Sequence, residues 1–202
     1  VRKPGANVSD LRPSLVILAG PNGAGKSTVA PRLLHGALAV SEFVDADVIA
    51  RGLRAFDPES VAIAAGRVMI LRLRELAAQR VSFAFETTLA SRTLAPWLRD
   101  LKASGFAVHF FFLWLPSADF AVERVAERVR AGGHNVPAET VRRRYRAGLR
   151  NFFSVYEPLA STWRMYDGSG PKPRLVAKRL ESQAPRVYDE GIWAAVKRQG
   201  TA

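Results

Sequence analysis

Cysteine is absent from all 202 residues. Its absence excludes disulfides, thiolate zinc sites, iron–sulfur clusters and a cysteine nucleophile, and fits a reducing compartment. Histidine is scarce: His35, His109 and His134 are the full complement, so an imidazole-built zinc site is not expected. Long hydrophobic runs are missing too. The longest, Phe106–Leu115, includes His109 and falls well short of the roughly 20 residues of a membrane helix. The first ten residues, VRKPGANVSD, carry no apolar segment of signal-peptide type, and the chain opens on Val1. The expectation is a cytoplasmic protein that does not engage a membrane.

Negative charge is the remaining shortfall. Lys and Arg number 30 against 18 Asp and Glu, a net charge of +12, and 24 of the 30 bases are arginine. The excess is spread along the chain rather than gathered in a tail. Arginine forks bind phosphate with paired hydrogen bonds, so the composition suits a phosphate-rich ligand. Nucleic acid is the rival partner, and a solvated basic surface is the plain alternative. A hydrophobic fraction of 48% is enough for one globular core.

The pattern along the chain alternates strands and helices. Leu15-Val16-Ile17-Leu18-Ala19 reads as a buried strand, and a helix is expected from Gly25 through Leu34 with Pro31 in its early turns. Glu42-Phe43-Val44 is a weak strand, followed by a short helix from Asp47. Asp57-Pro58 reads as a helix start, with Val61, Ala65, Val68, Leu71 or Arg72, and Leu76 on its apolar face. Val81–Phe85 is a strand ending at Glu86, Thr93–Ser104 a helix, and Phe106–Leu115 the central strand. Ser117 caps a helix to Arg130, Gly132-Gly133 breaks it, and Pro137 opens another to Asn151, with a helical stretch onward to Ala160. Strands are expected at Trp163–Tyr166 and Leu175–Ala177, and a closing helix over Pro185–Gln199. Such alternation implies a parallel sheet with ligand sites at the strands' carboxyl ends. Residues 1–14 read as an N-terminal extension and 15–202 as one domain.

Gly20-Pro21-Asn22-Gly23-Ala24-Gly25-Lys26-Ser27 matches G-x-x-x-x-G-K-[ST], with a buried strand before it and a helix after. Glycines let main-chain N–H groups turn inward around a phosphate, and the helix N-terminus adds partial positive charge. Residues 20–28, through Thr28, therefore read as the binding loop for ATP. Lys26 is expected on the β- and γ-phosphates and the Ser27 hydroxyl on Mg²⁺. Asp45, Asp47 and Glu86 follow strand ends. Asp47 is the candidate general base, or alternatively the cap of the helix that follows; Glu86 suits substrate hydroxyls or hydrated Mg²⁺, or else a cap or salt bridge, and the neighbouring Thr87 and Thr88 offer hydroxyls to a sugar or phosphate, or form a turn. Arg92 is a further candidate on the substrate side. The strongest apolar strand ends Leu113-Trp114-Leu115-Pro116 and lacks the Asp-Glu that motor ATPases carry there, which favours a small kinase. Arg124 and Arg128 lie four residues apart on one helix face, and Arg142-Arg143-Arg144 sits on the next helix. Residues 124–146 thus read as a lid that brings cations to the γ-phosphate and excludes water. His134 reads as a hydrogen-bonding hinge residue.

In this order, GPNGAGKST, FVDADVIA, SFAFETTL, RVAERVRAGGHNVP, RRRYRAGLRNF and YDGSG make the chain resemble the zeta-toxin family of small phosphate-loop kinases, in its short branch, from about Leu15 to Ala177. The resemblance implies an α/β P-loop nucleoside-triphosphate hydrolase/kinase fold: a parallel sheet flanked by helices, with a helical lid. It implies phosphoryl transfer from ATP to a hydroxyl of a UDP-sugar such as UDP-N-acetylglucosamine. It puts the base on Asp47, substrate contacts on Glu86 and Thr88, and lid arginines among Arg124, Arg128 and Arg144. The i, i+4 pair is also similar to the lid entry of adenylate-kinase-like enzymes, which implies Arg124 near adenine and Arg128 near the phosphates, with Tyr166-Asp167-Gly168 against adenine. An antitoxin protein is the partner it suggests. A polynucleotide kinase, or an ATP-dependent nucleic-acid-binding module, is the competing reading of the basic charge, and an ATP-binding switch without catalysis is the third. The run Phe110-Phe111-Phe112 sits in a strand that reads as buried, which speaks against exposed stacking aromatics and makes nucleic acid the weaker partner.

Overall fold

The computed structural model describes residues 12–31, 33–34, 40–54 and 58–201. Seven strands form one sheet in the order β2-β3-β1-β4-β5-β6-β7. They are β1 (Ser14–Ala19), β2 (Glu42–Val44), β3 (Phe83–Thr87), β4 (Ala107–Trp114), β5 (Thr162–Asp167), β6 (Arg174–Arg179) and β7 (Arg186–Val187). The helices are α1 (Lys26–Pro31), α2 (Ala46–Leu53), α3 (Ala62–Ala78), α4 (Leu94–Ala103), α5 (Ala118–Arg130), α6 (Ala138–Asn151) and α7 (Glu190–Thr201). Among the described residues no helix is long and apolar enough to cross a membrane.

β1 lies in the middle of the sheet because both of its faces are apolar. Leu15, Ile17 and Ala19 enter the larger core cluster, while Val16 and Leu18 enter a second cluster with Ala30, Leu34, Ala84 and Phe111. β3 and β4 flank β1 in parallel, pairing Leu18 with Glu86 and Ala19 with Phe112. This register sets the carboxyl end of β3 beside the loop that leaves β1. Phe110 and Phe112 point from β4 into an aromatic group with Phe152, whose ring also meets Trp163 edge-on. Each fully buried aromatic side chain of this kind contributes about 2–3 kcal/mol.

Several expectations are corrected. The sheet is parallel only from β2 to β5; β6 and β7 run antiparallel. A short connection through Gly168 and Gly170 turns the chain straight back, whereas a parallel return needs a crossover of a dozen or more residues. β7 and the turn after it occupy the start of the helix expected over 185–199, so α7 begins at Glu190, where Asp189 accepts from the Ile192 N–H. Asp57 lies outside the described residues; Pro58–Val61 is a 3-10 turn, and α3 starts only at Ala62. The buried face of α3 is Ala65, Met69, Leu73 and Leu76. Val68 and Leu71 are exposed: on a helix apolar over two arcs, spacing alone did not say which arc meets the sheet.

Candidate active site

The loop after β1 turns at Gly20 and reaches α1 at Lys26. Gly23 holds φ +81°, and a Cβ there would stand 2.9 Å from both the Ala121 carbonyl oxygen and the Arg124 Cβ. A glycine at this position therefore lets α5 lie directly over the loop. Ser117 caps α5, accepting from the Phe120 N–H. Ala121 and Val125 bury the helix's inner face in a cluster with Ala24, Leu113, Val141 and Tyr145. With that face buried, Arg124 and Arg128 edge a cavity of about 390 Å³ shared with Asn22, Gly23, Gly25, Lys26, Ser27 and Thr28.

Lys26 is 5% exposed. Its Nζ donates to the Gly20 and Pro21 carbonyls at 2.9 Å each and lies 3.4 Å from Glu86 Oε1. The Ser27 hydroxyl donates to Glu86 Oε2 at 2.8 Å. One carboxylate thus gathers the lysine and the hydroxyl that the loop motif supplies. The acid that the strand Phe106–Leu115 lacks is present on β3, the other strand beside β1. Ser27, Glu86 and the nearby Asp45 and Asp47 are hard oxygen donors of the kind Mg²⁺ takes.

A second cavity, of about 430 Å³, opens on the far side of Lys26. Asn22, Lys26, Asp47 and Glu86 line both cavities. Asp45, not Asp47, caps α2: its Oδ1 accepts from the Asp47 N–H at 2.8 Å. The helix begins at Ala46, one residue before expected, and the Asp47 carboxylate is released from capping and exposed to the cavities. Burial, and then the negative charge of Glu86, raise the Asp45 carboxyl above the usual carboxylate range.

The opposite wall comes from α6. Of its three consecutive arginines, Arg142 pairs with Asp119 and Glu139, tying α6 to α5. Arg143 is exposed, and Arg144 lines the second cavity. Burial lowers the Arg144 guanidinium from its ordinary value and the Asp47 charge opposes that shift, so the two face each other electrostatically. Gly148, one turn on, permits this approach: a Cβ there would lie 2.2 Å from the Thr88 carbonyl oxygen. α7 braces α6 from behind. Gln199 Oε1 accepts from Tyr145 Oη and Trp114 Nε1, and its Nε2 donates to the Pro116 carbonyl, each at 2.8 Å. The single Tyr145 Oη proton is shared between Gln199 Oε1 and the Leu115 carbonyl, the latter at 2.7 Å, and burial raises the phenol.

Thr87, Thr88, Ser91, Thr93 and His134 also line the second cavity, with Met69, Ile70 and Leu94 as an apolar wall. Arg92 does not line it. Its Nε donates to Asn151 Oδ1 at 2.9 Å, and the Asn151 amide donates to the Leu89 and Ala90 carbonyls. Arg92 is part of a clasp that shapes the turn after β3. Arg128 Nη2 donates to the His134 carbonyl at 2.7 Å, so the main chain of His134, rather than its ring, ties the two arms. Tyr166 stacks on Phe111. Asp167 is held below the usual range: burial opposes ionisation, but hydrogen bonds from Ser169 and the ion pair with Arg174 prevail.

Comparison with known proteins follows this geometry. The sequence model of the AAA domain family matches residues 15–152, from β1 through the end of α6. The chain belongs to this AAA domain family. An uncharacterized protein of Haemophilus influenzae (strain ATCC 51907 / DSM 11121 / KW20 / Rd) is 29% identical over 130 residues, 64% of this chain and 91% of the relative. A chain of the AvrRxo1-ORF1:AvrRxo1-ORF2 complex, solved with ATP, superposes with a TM-score of 0.74 at 16% identity, over 92% of this chain. This chain spans 63% of the length of that one. A chain of the PezAT chromosomal toxin–antitoxin system of Streptococcus pneumoniae superposes with a TM-score of 0.62 at 15% identity, covering 94% of this chain and 87% of its own. This AAA domain protein has a P-loop kinase fold, shared with the toxin chain of that system.

Proposed function

We propose that the chain is an ATP-dependent phosphotransferase that moves the γ-phosphoryl group of ATP to a hydroxyl of a small molecule held in the second cavity. One observation carries this reading. The loop lysine and a carboxylate released from capping both line each of two adjoining cavities. ATP fits the first, where loop amides, Lys26, Arg124 and Arg128 face its phosphates. The acceptor fits the second, with its reacting oxygen toward Lys26 and its proton toward Asp47. That oxygen bonds to the γ-phosphorus, the bond to the β–γ bridging oxygen breaks, Asp47 takes the proton, and ADP leaves. Arg128 and Arg144 offset negative charge from opposite sides. Ser27 and Glu86 would hold Mg²⁺, which supplies charge neutralisation at the phosphates when bound.

The finer reading is a UDP-sugar acceptor such as UDP-N-acetylglucosamine, in a cytoplasmic setting, with an acidic antitoxin as protein partner. Its support is that Asp47, Glu86, Thr88 and Arg144 share one cavity; Arg92 would join them only by leaving Asn151. Incubation with Mg-ATP and a panel of UDP-sugars and free sugars, read by mass spectrometry, tests both levels. A gain of one phosphate that disappears in Asp47→Asn supports transfer, and the panel member that gains it fixes the acceptor. No transfer to any member counts against the reading. The nucleic-acid alternative predicts salt-sensitive retention in filter binding. Phe110, Phe111 and Phe112 are all buried, which weakens it.

A further inference from the structure

We propose that Asn22 selects an acceptor that carries a second hydrogen-bond donor beside the reacting hydroxyl: a vicinal diol or a 1,2-amino alcohol. This rests on the phosphotransferase reading and deepens it. Asn22 is 8% exposed, yet its Oδ1 accepts no hydrogen bond from any described group. Buried amide oxygens are rarely left in that state, because nothing replaces the water they give up. The missing partner is a donor, and the residue stands at the wall of both cavities.

The phosphate end of ATP does not qualify, because fully ionised phosphate oxygens only accept. Lys26 faces two loop carbonyls and Glu86 and, in the proposed reaction, turns its protons to the phosphates, and the Ser27 hydroxyl donates to Glu86. The reacting hydroxyl has a single proton, and Asp47 requires it. A donor one or two bonds further along the acceptor meets every condition. The proton of a neighbouring O–H or N–H goes to Asn22, the proton of the reacting O–H goes to Asp47, and the two contacts together fix which oxygen faces the phosphorus. Being uncharged and not basic, an amide reads such a group without removing its proton. Two rivals exist: Arg128, whose buried Nε also lacks a partner but which lines only the first cavity, and a metal-bound water.

The experiment follows ADP release and phosphate-ester formation by ³¹P NMR with three small acceptors at equal concentration: 1,2-propanediol, 2-aminoethanol and 1-propanol. The quantity read is the ratio of the bifunctional acceptors to 1-propanol. The wild type is expected to favour the first two by about tenfold or more, since an unmet polar group penalises the monofunctional analogue. In Asn22→Leu, and in Asn22→Ala as a smaller second variant, the ratio should fall to near one. No preference in the wild type overturns the inference, as does a preference that survives both substitutions. An unchanged ratio with a raised Mg²⁺ requirement assigns Asn22 to a metal-bound water and also overturns it. An unchanged ratio with coupling to Arg128→Lys in ATP affinity does the same. Ester formation on the sugar panel without discrimination here sinks the role of Asn22 alone. No transfer to any acceptor in either experiment sinks the underlying reaction.

Discussion

The cavities on the two sides of Lys26 are built differently. The first is lined mainly by one short stretch, residues 22–28, roofed by one helix that adds Arg124, Glu127 and Arg128, with Asp47 and Glu86 at the side it shares with the second. The second draws on the ends of β2 and β3, on α2, α3 and α4, on the turn at His134, and on α6. Its charges are Asp45, Asp47 and Glu86 against Lys26 and Arg144, and much of the rest is hydroxyl or apolar. One side is built largely from local backbone geometry. The other is built from side chains gathered from afar.

The sharpest way to break this division is at Asp47. Asp47→Asn should lower transfer by roughly 100- to 10,000-fold, the usual share of a general base, while ATP affinity measured by calorimetry stays within twofold. A matching loss of ATP affinity would make Asp47 a donor-side residue. Next come the two arms. Arg128→Ala should reduce kcat by roughly 10- to 1,000-fold with a smaller change in the Kd for ATP, as expected of a group acting on transition-state charge. Arg144→Ala should raise the acceptor KM or lower kcat without touching ATP binding. If both variants lose ATP equally, the arms do not divide the work.

Gly148→Ala probes the packing beneath Arg144. The new Cβ meets the Thr88 carbonyl, so the chain should lose about 1–3 kcal/mol in urea unfolding, and transfer should fall more than ATP binding. Unaltered stability would mean that α6 is free to shift away from Thr88. The smallest effect is at Asp45. Its carboxyl is held above its ordinary value, so the folded chain retains this proton more tightly than the unfolded one, and stability declines as pH rises from about 4. Asp45→Asn keeps a capping oxygen and removes the charge. Its melting temperature should therefore decline less between pH 4 and 7; parallel curves would contradict the assigned shift.

The same division explains what was legible in the sequence. The loop, its strand and its helix lie within one short stretch, and their chemistry follows from local rules alone. Glu86 was recognisable as a carboxylate at a strand end, but its place beside β1 depends on strand order, which no local pattern contains. Arg92 looked like Arg144, a cation near the right segment; only the tertiary partner Asn151 separates them. Asp45 and Asp47 are two residues apart, and which one caps turns on a two-residue difference in where α2 begins. Val68 and Leu71 were misplaced because α3 carries apolar residues on its outer arc as well as its inner one.

Gln199 extends this lesson toward the last turn of α7. Three hydrogen bonds from one amide anchor the chain's final helix to the end of the central strand and to the tyrosine next to Arg144. Loss of the Gln199 amide would therefore be felt across the molecule, as a loosened guanidinium at the rim of the second cavity.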